Sequence, residues 1–202
     1  MAGYHKYVFD SDRRTFVGNF DEMYEREETE GFDSWQERDL RELRKTISYT
    51  ILEPYNFSRI LEFGCGKGTF THLLKKRNNE VVALDGSANA IAKARQSFPD
   101  IDFRRADLSE IVTMGERGER FDLVVIMCTL AYVESWRDVI RSIARIGRWF
   151  YVAEYIPPNP IGFVKSASDL IAEVNSSFKI HTKVQLNDEH CMLLAENLDS
   201  SP

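Results

Sequence analysis

The sequence predicts an α/β domain: a mostly parallel sheet with helices on both faces, an antiparallel C-terminal hairpin, and a helical N-terminal segment over residues 1–57. Three observations carry this reading. Glu62-Phe63-Gly64-Cys65-Gly66-Lys67-Gly68 sets three alternate-position glycines between an apolar run and a helical pattern. Short apolar runs that end in or lead to a carboxylate then recur along the chain at the spacing of βαβ units. Near the C-terminus, two strand-like segments meet at Asn187-Asp188, a hairpin signature.

Ile60 to Phe63 reads as a short buried strand, and Thr69, Phe70, Leu73 and Leu74 recur at helical spacing beyond the glycines. The loop therefore joins a strand to a helix. Glycines there tolerate positive φ and let a ligand approach the bare backbone, and the helix start is expected to supply free N–H groups. Such a turn suits a nucleotide. The dinucleotide fingerprint needs its third small residue three positions after the second glycine, which here is Thr69, whereas the third glycine is Gly68. That spacing disfavours NAD and FAD.

Val81 to Asp85 gives a second strand ending in a carboxylate, about 20 residues past the first glycine, where such an acid can accept both ribose hydroxyls. The alternative for Asp85 is an N-cap for the helix Ser87 to Ser97. Ile101 to Leu108 reads as a third strand ending in Asp107-Leu108. Phe121 to Met127 is a continuous apolar run, as expected of a strand buried on both faces of a parallel sheet. Beyond Cys128 to Val133, the residues Trp136, Val139, Ile140, Ile143 and Ile146 form one face of an amphipathic helix. A fifth strand follows over Trp149 to Ile156, and Ile161 to Ser176 reads as the last crossover helix. Lys179 to Leu186 and Cys191 to Glu196 then pair as the hairpin.

An acidic residue followed by alternating glycines, Glu62 to Gly68, resembles motif I of the class I S-adenosylmethionine (SAM) methyltransferases, and Phe121-Asp122-Leu123-Val124 resembles the fourth strand of that family. The resemblance runs from about Ser58 to Leu198. It implies a single domain over residues 1–202, with a Rossmann-like seven-stranded sheet in a SAM-binding core at 58–202. It also implies SAM as cofactor, with Glu62, Gly64, Cys65, Gly66 and Gly68 in the motif, Asp85 and Gly86 at the ribose, Asp107 and Leu108 at the adenine, and Cys128 after the fourth strand. Phe20-Asp21-Glu22-Met23-Tyr24 with the downstream Trp35 is similar to a segment that covers the cofactor in sugar and small-molecule members. Tyr24 and Trp35 are thus expected either to wall the SAM pocket or, as amphipathic aromatics, to pin a lid to the core. Leu40, Leu43, Ile47 and Ile51 mark an amphipathic lid helix packing on the sheet.

Methyl transfer is an in-line displacement at a carbon already activated by the sulfonium, so proximity and alignment are the protein's main contribution. A hydroxyl acceptor usually needs a base, which must lie beyond strands four and five. Tyr132, Glu134 and Glu154 fall there, with Glu154 and Tyr132 the first candidates. The structural alternatives are a pocket wall for Tyr132, an early helix residue for Glu134 and a salt-bridge partner for Glu154.

The (Asp/Asn)-Pro-Pro-aromatic motif of amino-methylating nucleic-acid and protein enzymes is replaced after strand four by Cys128-Thr129-Leu130-Ala131-Tyr132, and Pro157-Pro158-Asn159-Pro160 has the wrong order and place. The formal charge of −6 opposes a nucleic-acid partner, and Lys75-Lys76-Arg77 reads as a solvated helix end. These features favour a small-molecule acceptor such as a sugar, nucleotide-sugar or oligosaccharide, methylated on oxygen or nitrogen. The lid resemblance leans toward bacterial sugar enzymes, including nodulation-factor N-methyltransferases. Two alternatives stay open: a non-catalytic SAM-binding regulator, and an NAD-dependent oxidoreductase or nucleotide-sugar enzyme. With no signal-like segment, no transmembrane-length apolar run and three isolated cysteines, a cytoplasmic protein with reduced thiols is expected. The four histidines show no metal-ligand spacing.

Overall fold

In a computed structural model, which describes residues 3–108 and 110–199, the N-terminal segment contains α1 (His5–Val8), β1 (Phe9–Asp10), β2 (Thr15–Phe16), α2 (Phe20–Glu30) and α3 (Leu43–Leu52). The core continues with β3 (Arg59–Phe63), α4 (Thr69–Leu74), β4 (Glu80–Asp85), α5 (Ala88–Ser97), β5 (Asp102–Arg105) and α6 (Glu110–Glu116). It ends with β6 (Phe121–Met127), α7 (Trp136–Ile143), β7 (Gly147–Tyr155), α8 (Ala167–Asn175), β8 (Phe178–Leu186) and β9 (His190–Asn197). Seven strands form one sheet in the order β5-β4-β3-β6-β7-β9-β8. Strands β3 to β7 pair in parallel, and β9 runs antiparallel to both β7 and β8. This is the Rossmann-like sheet with a C-terminal hairpin that the sequence predicts.

Alternation of side chains along each strand creates two apolar faces. Leu61, Phe63, Val124 and Ile126 pack with Ile111 of α6, Trp136 of α7 and Leu170 of α8. Ile60, Leu123 and Val125 pack with Leu52 of α3, Phe70 of α4 and Ile91 of α5. At the hairpin tip, Asn187 and Asp188 have φ of 50° and 57°, the left-handed pair that matches strand twist in a tight turn. The chain passes from β3 to β4 and β5 on one side and returns to β6 on the other, so the carboxyl ends of β3 and β6 flank a topological switch point. Ligands of open α/β sheets bind there.

The structure corrects several expectations. The crossover helix starts at Ala167 rather than Ile161, because Ser166 accepts the Asp169 N–H as its N-cap and the preceding loop is tied down by Phe163 N–H donating to Ala131 O. Val164 reaches the core from that loop without a helix. Leu40 and Leu43 are exposed, so α3 packs on the sheet through Ile47, Ser48, Ile51 and Leu52. Helix α6 and the β1–β2 hairpin have no counterpart in the sequence reading. Among the described residues, no helix is long and apolar enough to cross a membrane.

Candidate functional site

A cavity of about 460 Å³ lies at the switch point, floored by the carboxyl ends of the parallel strands and covered by lid residues. Every cofactor residue anticipated from the sequence lines it except Gly68; Tyr132 lines it too, whereas Glu154 does not.

The glycine turn is shaped by close approach. Gly64 has φ +73°, and a Cβ there would stand 2.0 Å from Thr129 Oγ1, so only glycine lets β3 and β6 end side by side. Gly68 serves a different purpose: its Cβ would meet Phe103 at 2.5 Å, so it seats α4 against β5 and stands back from the cavity. The expected free N–H groups of the turn are engaged. Gly64 and Cys65 donate to Leu84 O, Gly66 to Asp85 Oδ2, Lys67 to Glu37 Oε2, and Gly68 to Cys65 O. A turn with its amides so occupied offers no cradle for a pyrophosphate.

Asp85 fastens this turn to β4. Its Oδ2 accepts the Gly66 N–H at 2.9 Å and its Oδ1 the Ser87 N–H at 2.8 Å. Ser87, through its Oγ, is the N-cap of α5, so the capping alternative for Asp85 falls to its neighbour. Asp107 and Leu108 lie past the end of β5, at the opposite end of the cavity wall from Cys128. Glu62, 2% exposed, sits beneath the turn with Oε2 buried and without a hydrogen-bond partner among the described residues. Burial, opposed by the nearby Thr71 hydroxyl and reinforced by the charges of Glu37 and Asp85, pushes its carboxyl up to about 7.

The lid is fastened by charge. Glu27 of α2 is 1% exposed and accepts Lys67 Nζ at 2.7 Å, Lys93 Nζ at 2.9 Å and the Ser34 N–H at 2.8 Å. Lys67 Nζ also donates to Asp33 at 2.6 Å. Asp21 accepts from Ser87 Oγ and the Asn89 N–H at the start of α5. Tyr24 lines the cavity and donates its O–H to Glu37 at 2.9 Å, a bond within the N-terminal segment. Trp35, in the left-handed region at φ 60°, lies 5.5 Å from Tyr132 between ring centroids, and Phe20 lies 5.3 Å from Tyr132.

Sequence reasoning missed Glu37, Glu42 and Arg44, all of which line the cavity. Arg44 donates Nε–H to Glu42 at 2.9 Å and reaches Cys128 Sγ at 2.7 Å. Cys128 itself has φ 50°, and burial pushes its thiol up to about 11, so it is a neutral wall rather than a nucleophile. Arg44 carried no signal of its own, since a charged residue at the start of an amphipathic helix reads as solvated.

Glu154 stands behind the wall. Its Oε1 accepts the N–H groups of Thr129 (3.0 Å) and Leu130 (2.8 Å), bracing the turn that carries Cys128; it forms no salt bridge among the described residues. Burial, opposed by those N–H donors, leaves its carboxyl at about 7. Glu134 is exposed and does not line the cavity. Burial raises the Tyr132 phenol well above its ordinary value of 10, so it stays protonated near neutrality.

Residues 60–148 match the methyltransferase-domain family. Among curated proteins, the chain is 28% identical over 151 residues to a malonyl-[acyl-carrier protein] O-methyltransferase of Enterobacter lignolyticus, covering 74% of this chain and 55% of that one. It is 37% identical over 65 residues to a 23S rRNA (uracil-C5) methyltransferase, RlmD, of Stenotrophomonas maltophilia, covering 30% and 15%. The chain thus spans about half the length, or less, of these relatives. Among solved structures, the N-methyltransferase NodS of Bradyrhizobium japonicum, in complex with S-adenosylhomocysteine (SAH), superposes with a TM-score of 0.71 at 22% identity, covering 90% of this chain and 100% of that one. The match over residues 60–148, together with this fold and glycine turn, identifies a methyltransferase domain in that stretch and supports a class I SAM-dependent methyltransferase.

Proposed function

We propose that the chain binds SAM in this cavity and transfers its methyl group to an oxygen or nitrogen of a small molecule, with a sugar, nucleotide-sugar or oligosaccharide as the favoured acceptor class. One observation carries the reading: the switch-point cavity has a glycine turn whose amides are engaged and is lined by the carboxylates Glu37, Glu62 and Asp85. These features suit a sulfonium cofactor bearing an ammonium group and oppose a dinucleotide. The buried Glu62 Oε2, without a hydrogen-bond partner among the described residues, fits such a group.

When bound, SAM supplies a methyl carbon already activated for displacement. Asp85, its two oxygens fixed by backbone N–H groups, accepts the ribose hydroxyls, and Asp107 faces the adenine end. Arg44 retains donors beyond those used on Glu42 and Cys128, and it holds the cofactor carboxylate. Trp35, Tyr132 and Phe20 exclude water and offer ring faces that stabilise positive charge at the reacting end. Tyr132, kept protonated, orients the acceptor as a donor, while Glu154 positions Thr129 and Leu130 and does not take the acceptor's proton. Assays with methyl-labelled SAM against amino sugars, nucleotide sugars, acyl-carrier protein and RNA test the reading. Transfer to a sugar-class acceptor is expected; transfer to RNA or carrier protein alone would contradict the acceptor class.

A further inference from the structure

The lid presents to the cavity a carboxylate that forms no ion pair among the described residues. Glu37 is 8% exposed; its Oε1 accepts the Tyr24 O–H at 2.9 Å and its Oε2 the Lys67 N–H at 2.7 Å. Both donors are neutral. The neighbouring ammonium groups are engaged elsewhere: Lys67 Nζ with Glu27 and Asp33, Lys93 Nζ with Glu27, and Lys45 Nζ with the carbonyls of Gln36, Glu37 and Asp39. A carboxylate accepts about four hydrogen bonds, so Glu37 retains acceptor capacity.

Its position is defined from the other side by Gly66, where a Cβ would stand 2.5 Å from Glu37 Oε1. The carboxylate therefore lies directly against the glycine turn. Burial pushes it up to about 7; Lys67 opposes that rise, and the charge of Asp85 adds to it. Independently, Glu62 lines the same cavity with a buried oxygen that has no partner among the described residues, a second mark of an anionic site built for a positively charged ligand.

We infer that Glu37 accepts the α-ammonium group of the cofactor's amino-acid end, so that the side chain fastening the lid to the glycine turn also reads the cofactor. The inference rests on the SAM reading above. An ammonium donor gives this carboxylate a charge-assisted bond that the protein itself does not supply. Adenosine-like ligands without the amino-acid end cannot make it.

Calorimetric titration of the full chain with SAH and with 5′-methylthioadenosine, which lacks the amino-acid end, provides the test. Glu37→Gln is expected to weaken SAH about 10- to 100-fold and 5′-methylthioadenosine by less than about threefold. Tyr24→Phe removes a lid bond and keeps the carboxylate, so it should weaken both ligands by the same factor. An equal loss for both ligands in Glu37→Gln, or no loss, would overturn the inference. Should Glu37→Gln not fold, the wild-type protein decides with SAH and its deamino analogue: the analogue should bind about 10- to 100-fold more weakly, and equal affinities would overturn the inference. A wild-type protein that binds neither SAH nor 5′-methylthioadenosine would overturn the cofactor reading itself, and this inference with it.

Discussion

Glu27 in the lid and Glu62 beneath the glycine turn are equally buried, 1% and 2% exposed, yet their surroundings are opposite. Glu27 has two lysine partners and a backbone N–H, which hold its carboxyl below the ordinary value despite burial. Glu62 has a partnerless oxygen and two neighbouring acids, and its carboxyl rises to about 7. The difference separates two jobs. A buried carboxylate with its cations in place holds structure, and so does Glu154, which stands behind the wall; one without cations that also lines the cavity marks where a cationic ligand is received.

The largest effect that tests this contrast is pH dependence, because several groups act together. Glu37, Glu62 and Glu154 titrate near 7 in the folded chain against 4.5 when exposed, so the folded state holds extra protons between those values. Their stabilisation is fully present below about 4.5 and is lost as pH rises through about 7. Glu27 and Glu42, held low, contribute stability that is lost as pH falls below 4.5. Urea unfolding of the ligand-free protein should therefore show stability declining from pH 5 to 7.5, and SAH should restore more of it at the upper end. A flat or rising profile would dissolve the contrast.

Removing the satisfied carboxylate comes next. Glu27→Ala leaves Lys67 and Lys93 without their shared partner and should destabilise by about 3 to 5 kcal/mol in the same measurement; a loss below about 1 kcal/mol would show that the lid is held by its aromatic contacts instead. On the glycine-turn side, Gly64→Ala meets Thr129 at 2.0 Å in a left-handed conformation and should cost about 3 kcal/mol and abolish SAH binding. Gly118→Ala, also left-handed but with nothing within 4 Å, should cost about 1 kcal/mol and leave SAH affinity unchanged. The finest comparison is between two strand-end acids: Asp85→Ala should weaken SAH by more than Asp107→Ala, since Asp85 would serve two ribose hydroxyls, each worth about 1.5 to 3 kcal/mol at most, and also fastens Gly66. Equal losses in calorimetry would return Asp85 to a purely structural part.

The same two regions differ in how legible they were. Strands β3, β4, β6 and β7, the motif glycines and the strand-end Asp85 follow from local apolar runs and short spacings, and each lies where the pattern puts it. The sequence pattern starts helix α8 too early because Val164 fits a helical spacing, whereas the Ser166 cap and the tie of Phe163 to Ala131 set the start at Ala167. Helix α6, seven residues including Gly115, has too weak a local preference to show. The lid side of the cavity was only half visible. Tyr24 and Trp35 stand out as aromatics, but Glu37 meets Lys67 across 30 positions, Glu27 meets Lys67 across 40, and Arg44 meets Cys128 across 84. Pairings that distant leave no periodic trace, so the ion network and the cofactor-facing carboxylate emerge only with the fold.

The central claim is that lid and glycine turn together form a SAM site, and hydrogen exchange tests it most directly. Amides of residues 20–37 and 62–68 should gain protection when SAH is added, because the ligand bridges the two regions, while NAD at the same concentration should leave them unchanged. Protection by NAD and not SAH, or SAH protection confined to the turn with none in the lid, would contradict it.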